Sequence, residues 1–157
     1  MKSVRSVNDA VVAIIKIVHE SMQAILREDL ETQPVLKSWK SVVDYLRISI
    51  GNRPIEAICV LLLNKKYTLI KEYIQDFGAV DHTMICTREI IKRCLSCGAS
   101  AIVLTHNHPS GNPLPSEPDL VIIRQLQKIC QKVDIQLIDH FIITPDEHFS
   151  FVVNGLL

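Results

Sequence analysis

An α/β domain with layered helices and a mixed β-sheet, preceded by a short helical segment, is the architecture this sequence predicts. Three observations carry it. From residue 51 on, apolar runs of strand length alternate with helical patterns. Before residue 51 the apolar residues recur at three- and four-residue spacing, the signature of amphipathic helices. The chain has 157 residues, 48% of them hydrophobic and 22% charged, which is an ordinary composition for one globular domain plus an appendage.

Taken in order, Ser6 or Asn8 is a candidate N-cap. Val11, Ile14, Ile15, Val18, Met22, Ile25 and Leu26 then form one stripe of a helix expected to end near Arg27. Acidic residues from Glu28 to Glu31, followed by Pro34, read as a linker. A second helix starts near Ser38, with Trp39, Val42, Val43, Leu46 and Ile50 on its apolar face and Gly51 closing it. Ile55–Leu63 reads as a buried strand, Asn64-Lys65-Lys66 as a turn and Tyr67–Phe77 as the second arm of a hairpin. After a loop through Gly78 and Asp81, Thr87 opens a helix with Ile90, Ile91, Cys94 and Leu95 buried, ended by Gly98. Ala101–Leu104 is a short apolar strand, and His106–Pro118 is rich in turn residues. A helix to about Lys132, a strand over Ile135–Ile143 and a last strand over Phe149–Val153 complete the chain. The expected division is therefore a helical segment over 1–50 and the α/β domain over 51–157.

Charge and composition narrow the function. Basic and acidic residues number 17 each, seven and six of them within residues 1–50, so no basic stripe supports binding to phosphate backbones. The longest apolar run, Ala57–Leu63, is far short of the roughly 20 residues of a membrane span. Five cysteines, an odd number in a chain of this size, read as reduced thiols and a cytoplasmic location.

The chemistry concentrates between residues 106 and 119. His106 and His108, at i and i+2 of an extended segment, project to one side, and imidazole is the commonest protein ligand for zinc. A Pro- and Gly-rich loop can fold the carboxylate of Asp119 back onto them. Three ligands and one open position is the pattern of a catalytic zinc site. The water of such a site needs a base, for which Glu56, Glu72 and Glu89 are candidates. Glu56 stands out because it borders the most apolar strand, although pairing with Arg53 or Lys71 is an equally simple role for it. Ser116 and Asp119 also form a capping box, a sufficient structural reason for both.

His106-x-His108-Pro109, six residues, then Ser116-x-x-Asp119 matches the JAMM motif of the JAB/MPN metalloenzymes. The fuller string from His106 to Asp119 resembles the bacterial RadC branch, as do Asp44-Tyr45-Leu46, Ile55-Glu56, Thr87-Arg88-Glu89-Ile90, Leu137-Ile138-Asp139-His140, Phe149-Ser150-Phe151 and Gly155-Leu156-Leu157. The resemblance implies a cytidine-deaminase-like JAB/MPN fold. It implies one zinc ion on His106, His108 and Asp119, Glu56 as the base for its water, and Ser116 as a hydrogen-bond donor to the oxyanion. The implied reaction is hydrolysis of an amide, usually an isopeptide bond, so a peptide- or isopeptide-type substrate is expected. RadC proteins carry a DNA-repair label, and full-length members usually begin with a helix-hairpin-helix module. Residues 1–50 show no paired Gly-rich hairpin.

The alternative function is a non-catalytic binding module in DNA repair or recombination. A nuclease follows only from the repair label. Selectivity is expected from the loops around Gly78–Cys86 and Asn112–Pro115, and the leading helices offer a face for a homodimer. Among smaller features, Cys94-x-x-Cys97 lacks a second pair for a structural zinc. Asp139-His140 is a candidate outer-shell pair in which the carboxylate orients a ring, or a purely structural one. His19, His82 and His148 are isolated.

Overall fold

Residues 8–76 and 87–157 are described in the structure, a computed structural model. Four helices, α1 (Asp9–Thr32), α2 (Trp39–Leu46), α3 (Thr87–Cys97) and α4 (Glu117–Lys132), flank five strands. The strands are β1 (Ala57–Leu63), β2 (Leu69–Asp76), β3 (Ala101–Asn107), β4 (Gln136–Ile143) and β5 (His148–Ser150). They form one mixed sheet in the order β2-β1-β3-β4-β5. Only the β3–β4 pair is parallel, and α4 makes the crossover between them. The predicted fold class is the one observed.

Alternation along the central strands divides the core into two layers. Cys59, Leu61 and Leu63 of β1 and Ala101 and Val103 of β3 face α1 and α2, where Leu30, Val43, Tyr45, Leu46 and Ile50 meet them. Ile58, Val60 and Leu62 of β1 and Ile102 and Leu104 of β3 face α3 and α4, packing with Ile90, Cys94, Ile123, Leu126 and Cys130. Every residue of β1 and β3 is buried, which is why both read as continuous apolar runs.

The chain departs from the sequence reading at several ends. Asn8 caps α1 through the Ala10 amide; Ser6 lies outside the described residues, as do Phe77, the loop Gly78–Cys86 and His82. The helix does not stop near Arg27 but runs to Thr32, because the acidic stretch is held by an Arg27–Glu31 pair one turn apart. Arg27 also reaches Glu72 on β2, and the Tyr45 hydroxyl donates to the same carboxylate. Most of the predicted apolar stripe of α1 is exposed: Ile14, Ile15 and Ile25 keep 60% or more of their surface, and only Leu26 and Leu30 enter the core. The second helix gives way after Leu46 to a wider π-helical turn, Arg47–Gly51. At Gly51 a side chain would press on Ile143 at 3.2 Å, so the residue closing this turn has to be small. Leu95 is exposed rather than buried, because α3 turns Ile90 and Cys94 toward the sheet. The last strand ends at Ser150, after which residues 151–155 form a turn. Tyr67 is not in a strand; it takes a left-handed conformation in the hairpin turn, where Asn64 accepts from the Lys66 and Thr68 amides.

Leu61 is fully buried against the leading helices and Ile25 is not. Leu61→Ala should therefore destabilise the protein by about 2–5 kcal/mol. Ile25→Ala should stay within about 0.5 kcal/mol of the parent. Urea unfolding followed by circular dichroism measures both.

Candidate metal centre

Strand β3 delivers the centre. Its residues alternate between layers, so His106 follows Ile102 and Leu104 onto the α3/α4 face while Asn107 turns to the other. His106 is 3% exposed. Its neighbour across the parallel ladder is Ile142, and His140 lies two residues back along β4 on the same face. The backbone then continues past β3: the His108 amide donates to the Ile143 carbonyl at 2.9 Å, which holds the second imidazole beside the first.

The loop that follows is built from local bonds. His108 Nδ1 lies 2.7 Å from the Asn112 carbonyl, the Gly111 amide donates to the His108 carbonyl, and the Leu114 amide donates to Asn112 Oδ1. It leads into α4, where Ser116 is the N-cap and the capping box is complete. Asp119 Oδ2 accepts from the Ser116 amide at 2.8 Å and from its hydroxyl at 2.5 Å. Oδ1 is 3.5 Å from His106 Nε2, and Oδ2 is 3.9 Å from His108 Nε2. The two Nε2 atoms are 2.9 Å apart. His106, His108 and Asp119 offer one ligand atom each, all within 4.8 Å of one another.

This donor set fits a metal ion. A carbonyl only accepts, so the proton of His108 sits on Nδ1 and its Nε2 lone pair points into the cluster. Burial lowers the pKa of His106 to about 4, with Asp119 opposing that shift and His108 adding to it. The ring is therefore neutral at physiological pH, as a ligand must be. Among the described residues this is the only group of three or more His, Cys, Asp or Glu side chains arranged to hold an ion.

The other predicted residues fall as follows. Glu56 is exposed, just before β1, and is not in the ligand cluster. The β1–β3 ladder ends at Ile58↔His106, two residues beyond Glu56. Glu72 is on the opposite face, paired with Arg27 and Tyr45. Glu89 is held by Arg93 one turn along α3. Cys94 is core, its thiol pushed up to about 12 chiefly by burial, and Cys97 donates to the Cys94 carbonyl. His19 reaches the Ile48 carbonyl, and His148 packs near Phe141.

Two residues do more than their sequence suggested. Asn107 is fully buried; its amide nitrogen donates to the Arg53 and Ile55 carbonyls and its oxygen accepts from the Ala57 amide at 2.7 Å. It ties the segment carrying Glu56 to the strand carrying the ligands. A polar residue between two histidines at the end of an apolar strand was the available signal. In the Asp139-His140 pair the carboxylate takes the structural one of its two expected roles. Asp139 does not orient a ring; it accepts from the amides of His140 and Val152 and from the Ser150 hydroxyl. It is His140 that touches a ligand, with Nε2 at 2.8 Å from His106 Nδ1.

A three-layer α/β domain with a two-histidine, one-aspartate centre at the end of a central strand is the class this geometry defines. The profile of the RadC-like JAB domain matches residues 36–156. A UPF0758 protein of Rhodobacter capsulatus is 38% identical over 157 residues, covering all of this chain and 73% of the relative. One from Ruegeria pomeroyi is 34% identical over 157 residues, all of this chain and 70% of the relative. Another, from Pasteurella multocida, is 38% identical over 138 residues, which are 88% of this chain and 62% of the relative. The chain belongs to the RadC family of JAB domains.

Asn107→Ala strips partners from three backbone groups and should cost about 2–4 kcal/mol, read by urea unfolding. The metal-free protein should also lose stability in acid. Unfolded, His106 takes a proton at its ordinary pKa of 6.5; folded, it does so only near 4. The unfolded state therefore binds more protons between these values, and the stability present above pH 6.5 falls as pH drops toward 4. At pH 5 the loss from this ring alone is about 2 kcal/mol. Unfolding in a chelator at pH 7.5 and pH 5 checks the sign.

Proposed function

We propose that this chain is a zinc-dependent hydrolase of the JAMM type, acting on an amide bond of a peptide or isopeptide. The observation that carries the reading is the meeting of His106 Nε2, His108 Nε2 and the Asp119 carboxylate, which offer one ligand atom each within 4.8 Å of one another. Two imidazoles and one carboxylate, with a water as fourth ligand, is a donor set that suits zinc. Zinc bound there would supply Lewis acidity, lowering the pKa of a coordinated water to about 7.

The chain's own residues supply the rest. Glu56, two residues before the ladder partner of His106 and in no ion pair among the described residues, takes the proton of the attacking water and returns it to the leaving amine. Asn107 keeps that segment in register with the ligands. Ser116 holds Asp119 Oδ2, and rotation of its hydroxyl would let it donate to the oxyanion as the carbonyl is attacked. The buried free thiols Cys59, Cys94 and Cys130 suit a reducing, cytoplasmic setting.

Elemental analysis of the purified protein should find close to one zinc per chain. His106→Ala and Asp119→Ala should lose it while keeping the parent's circular dichroism. A parent that stays metal-free after zinc is supplied at neutral pH sinks the reading. Glu56→Gln should keep the zinc and reduce cleavage of a quenched fluorescent peptide library by about 100-fold or more. Undiminished cleavage would remove Glu56 from its role. Full zinc occupancy with no cleavage of peptide or isopeptide by the parent would instead favour a binding module in a DNA-repair setting.

A further inference from the structure

Behind the ligand His106 sits a second buried imidazole. His140 is fully buried in β4, its Nε2 is 2.8 Å from His106 Nδ1, and its own Nδ1 has no hydrogen-bond partner among the described residues. The ring is wedged edge-on against Phe151 at 4.6 Å. Its backbone is fixed on both sides, the amide to Asp139 and the carbonyl to the Phe151 amide. This histidine has little freedom to move away.

Three imidazoles and a carbonyl thus form one line: His140, His106, His108, Asn112 O. Its far end is fixed, because the Asn112 carbonyl accepts and His108 therefore has its proton on Nδ1. With three neutral rings, the line has one fully bonded arrangement without metal. His106 donates from Nε2 to the bare His108 Nε2, and His140 donates from Nε2 to the bare His106 Nδ1. Only a lone pair, His140 Nδ1, is then unpartnered. A metal on His106 Nε2 cannot share that atom with a proton. The His106 proton must move to Nδ1 and be accepted by His140 Nε2, and the proton of His140 must move to its own Nδ1. The same three protons remain on the same three rings. The cost falls on a buried N–H with no acceptor, which is dearer than an unused lone pair.

We propose that His140 is a positioning residue that sets the tautomer of His106, and through it the metal affinity of the centre. It accepts the His106 Nδ1 proton when metal is bound and donates to Nδ1 when it is not. The inference rests on the metal-site reading above, which assigns it no role. Outer-shell partners of this kind shift metal affinity about 10–100-fold.

Long-range proton–nitrogen correlation spectra of the full chain, labelled with nitrogen-15, test it without any variant. His106 should have its proton on Nε2 in chelator-treated protein and on Nδ1 once zinc is added. Zinc competition against a chelating dye at pH 7.5 adds the second readout. His140→Phe, which removes the acceptor, should weaken zinc about 10–100-fold. His140→Gln, whose amide oxygen accepts from His106 Nδ1 without a tautomer to change, should bind zinc at least as tightly as the parent. The spectra overturn the proposal if His106 is already protonated on Nδ1 in the metal-free protein. So does equal zinc affinity in His140→Phe and the parent. A parent that binds no zinc at all overturns the metal reading instead, and the two failures are distinct.

Discussion

A buried imidazole that has to stay neutral and partnered is the constraint around which the rest of this domain is arranged. His106 is almost wholly withdrawn from water at the end of the central strand. An unpartnered polar ring there would cost on the order of 1–3 kcal/mol. Each neighbouring element meets part of that demand. Strand β4 brings His140 to Nδ1, the loop after β3 brings His108 to Nε2, and the first turn of α4 brings Asp119. The parallel β3–β4 pairing matters for this reason: the crossover that parallel strands require is α4, so the pairing that places His140 also carries the chain round to Asp119.

The period of two along β3 separates support from chemistry. His106 faces the α3/α4 layer, whereas Asn107 faces the other way and bonds the 53–57 segment. One strand end therefore positions the two imidazoles with its even residues and the segment carrying Glu56 with its odd one. The leading helices contribute at a distance. Ile50 and Gly51 pack beneath β3 and β4, and Gly51 sits close enough to Ile143 that the strand end supporting His108 rests on it.

Fold class and the meeting of His106, His108 and Asp119 were legible in the sequence because both depend on short-range pattern. Continuous apolar runs mark β1 and β3, and two histidines two residues apart share a face on any extended backbone. What was illegible depends on long-range partners. Arg27 could not be seen to reach Glu72, 45 positions on, so α1 was ended a turn early. Nothing local distinguishes the exposed stripe of α1 from a buried one, since the period is the same whether or not the chain covers it. The π-helical turn after Leu46 depends on packing below the sheet rather than on propensity. Asp139 and His140 were seen as a pair, but which one touches the ligand is decided by the parity of β4 against β3, and the register shifts at Ile102/Val103. That shift is invisible without the strand partner.

The two explanations available for Ser116 and Asp119, a helix cap and a reactive pair, are not rivals in the folded chain. A carboxylate has two oxygens, and the capping box uses only Oδ2, which accepts from the Ser116 amide and hydroxyl. Pinning Oδ2 fixes the rotation of the group, and the oxygen left over, Oδ1, is the one turned to His106. Capping therefore orients the carboxylate toward the imidazoles. A glutamate would keep the charge but, with one more methylene, would have to give up either the box or the approach to the rings. The local chemistry that starts a helix and the chemistry of the centre are the same hydrogen bonds, and a spacing of three residues serves both.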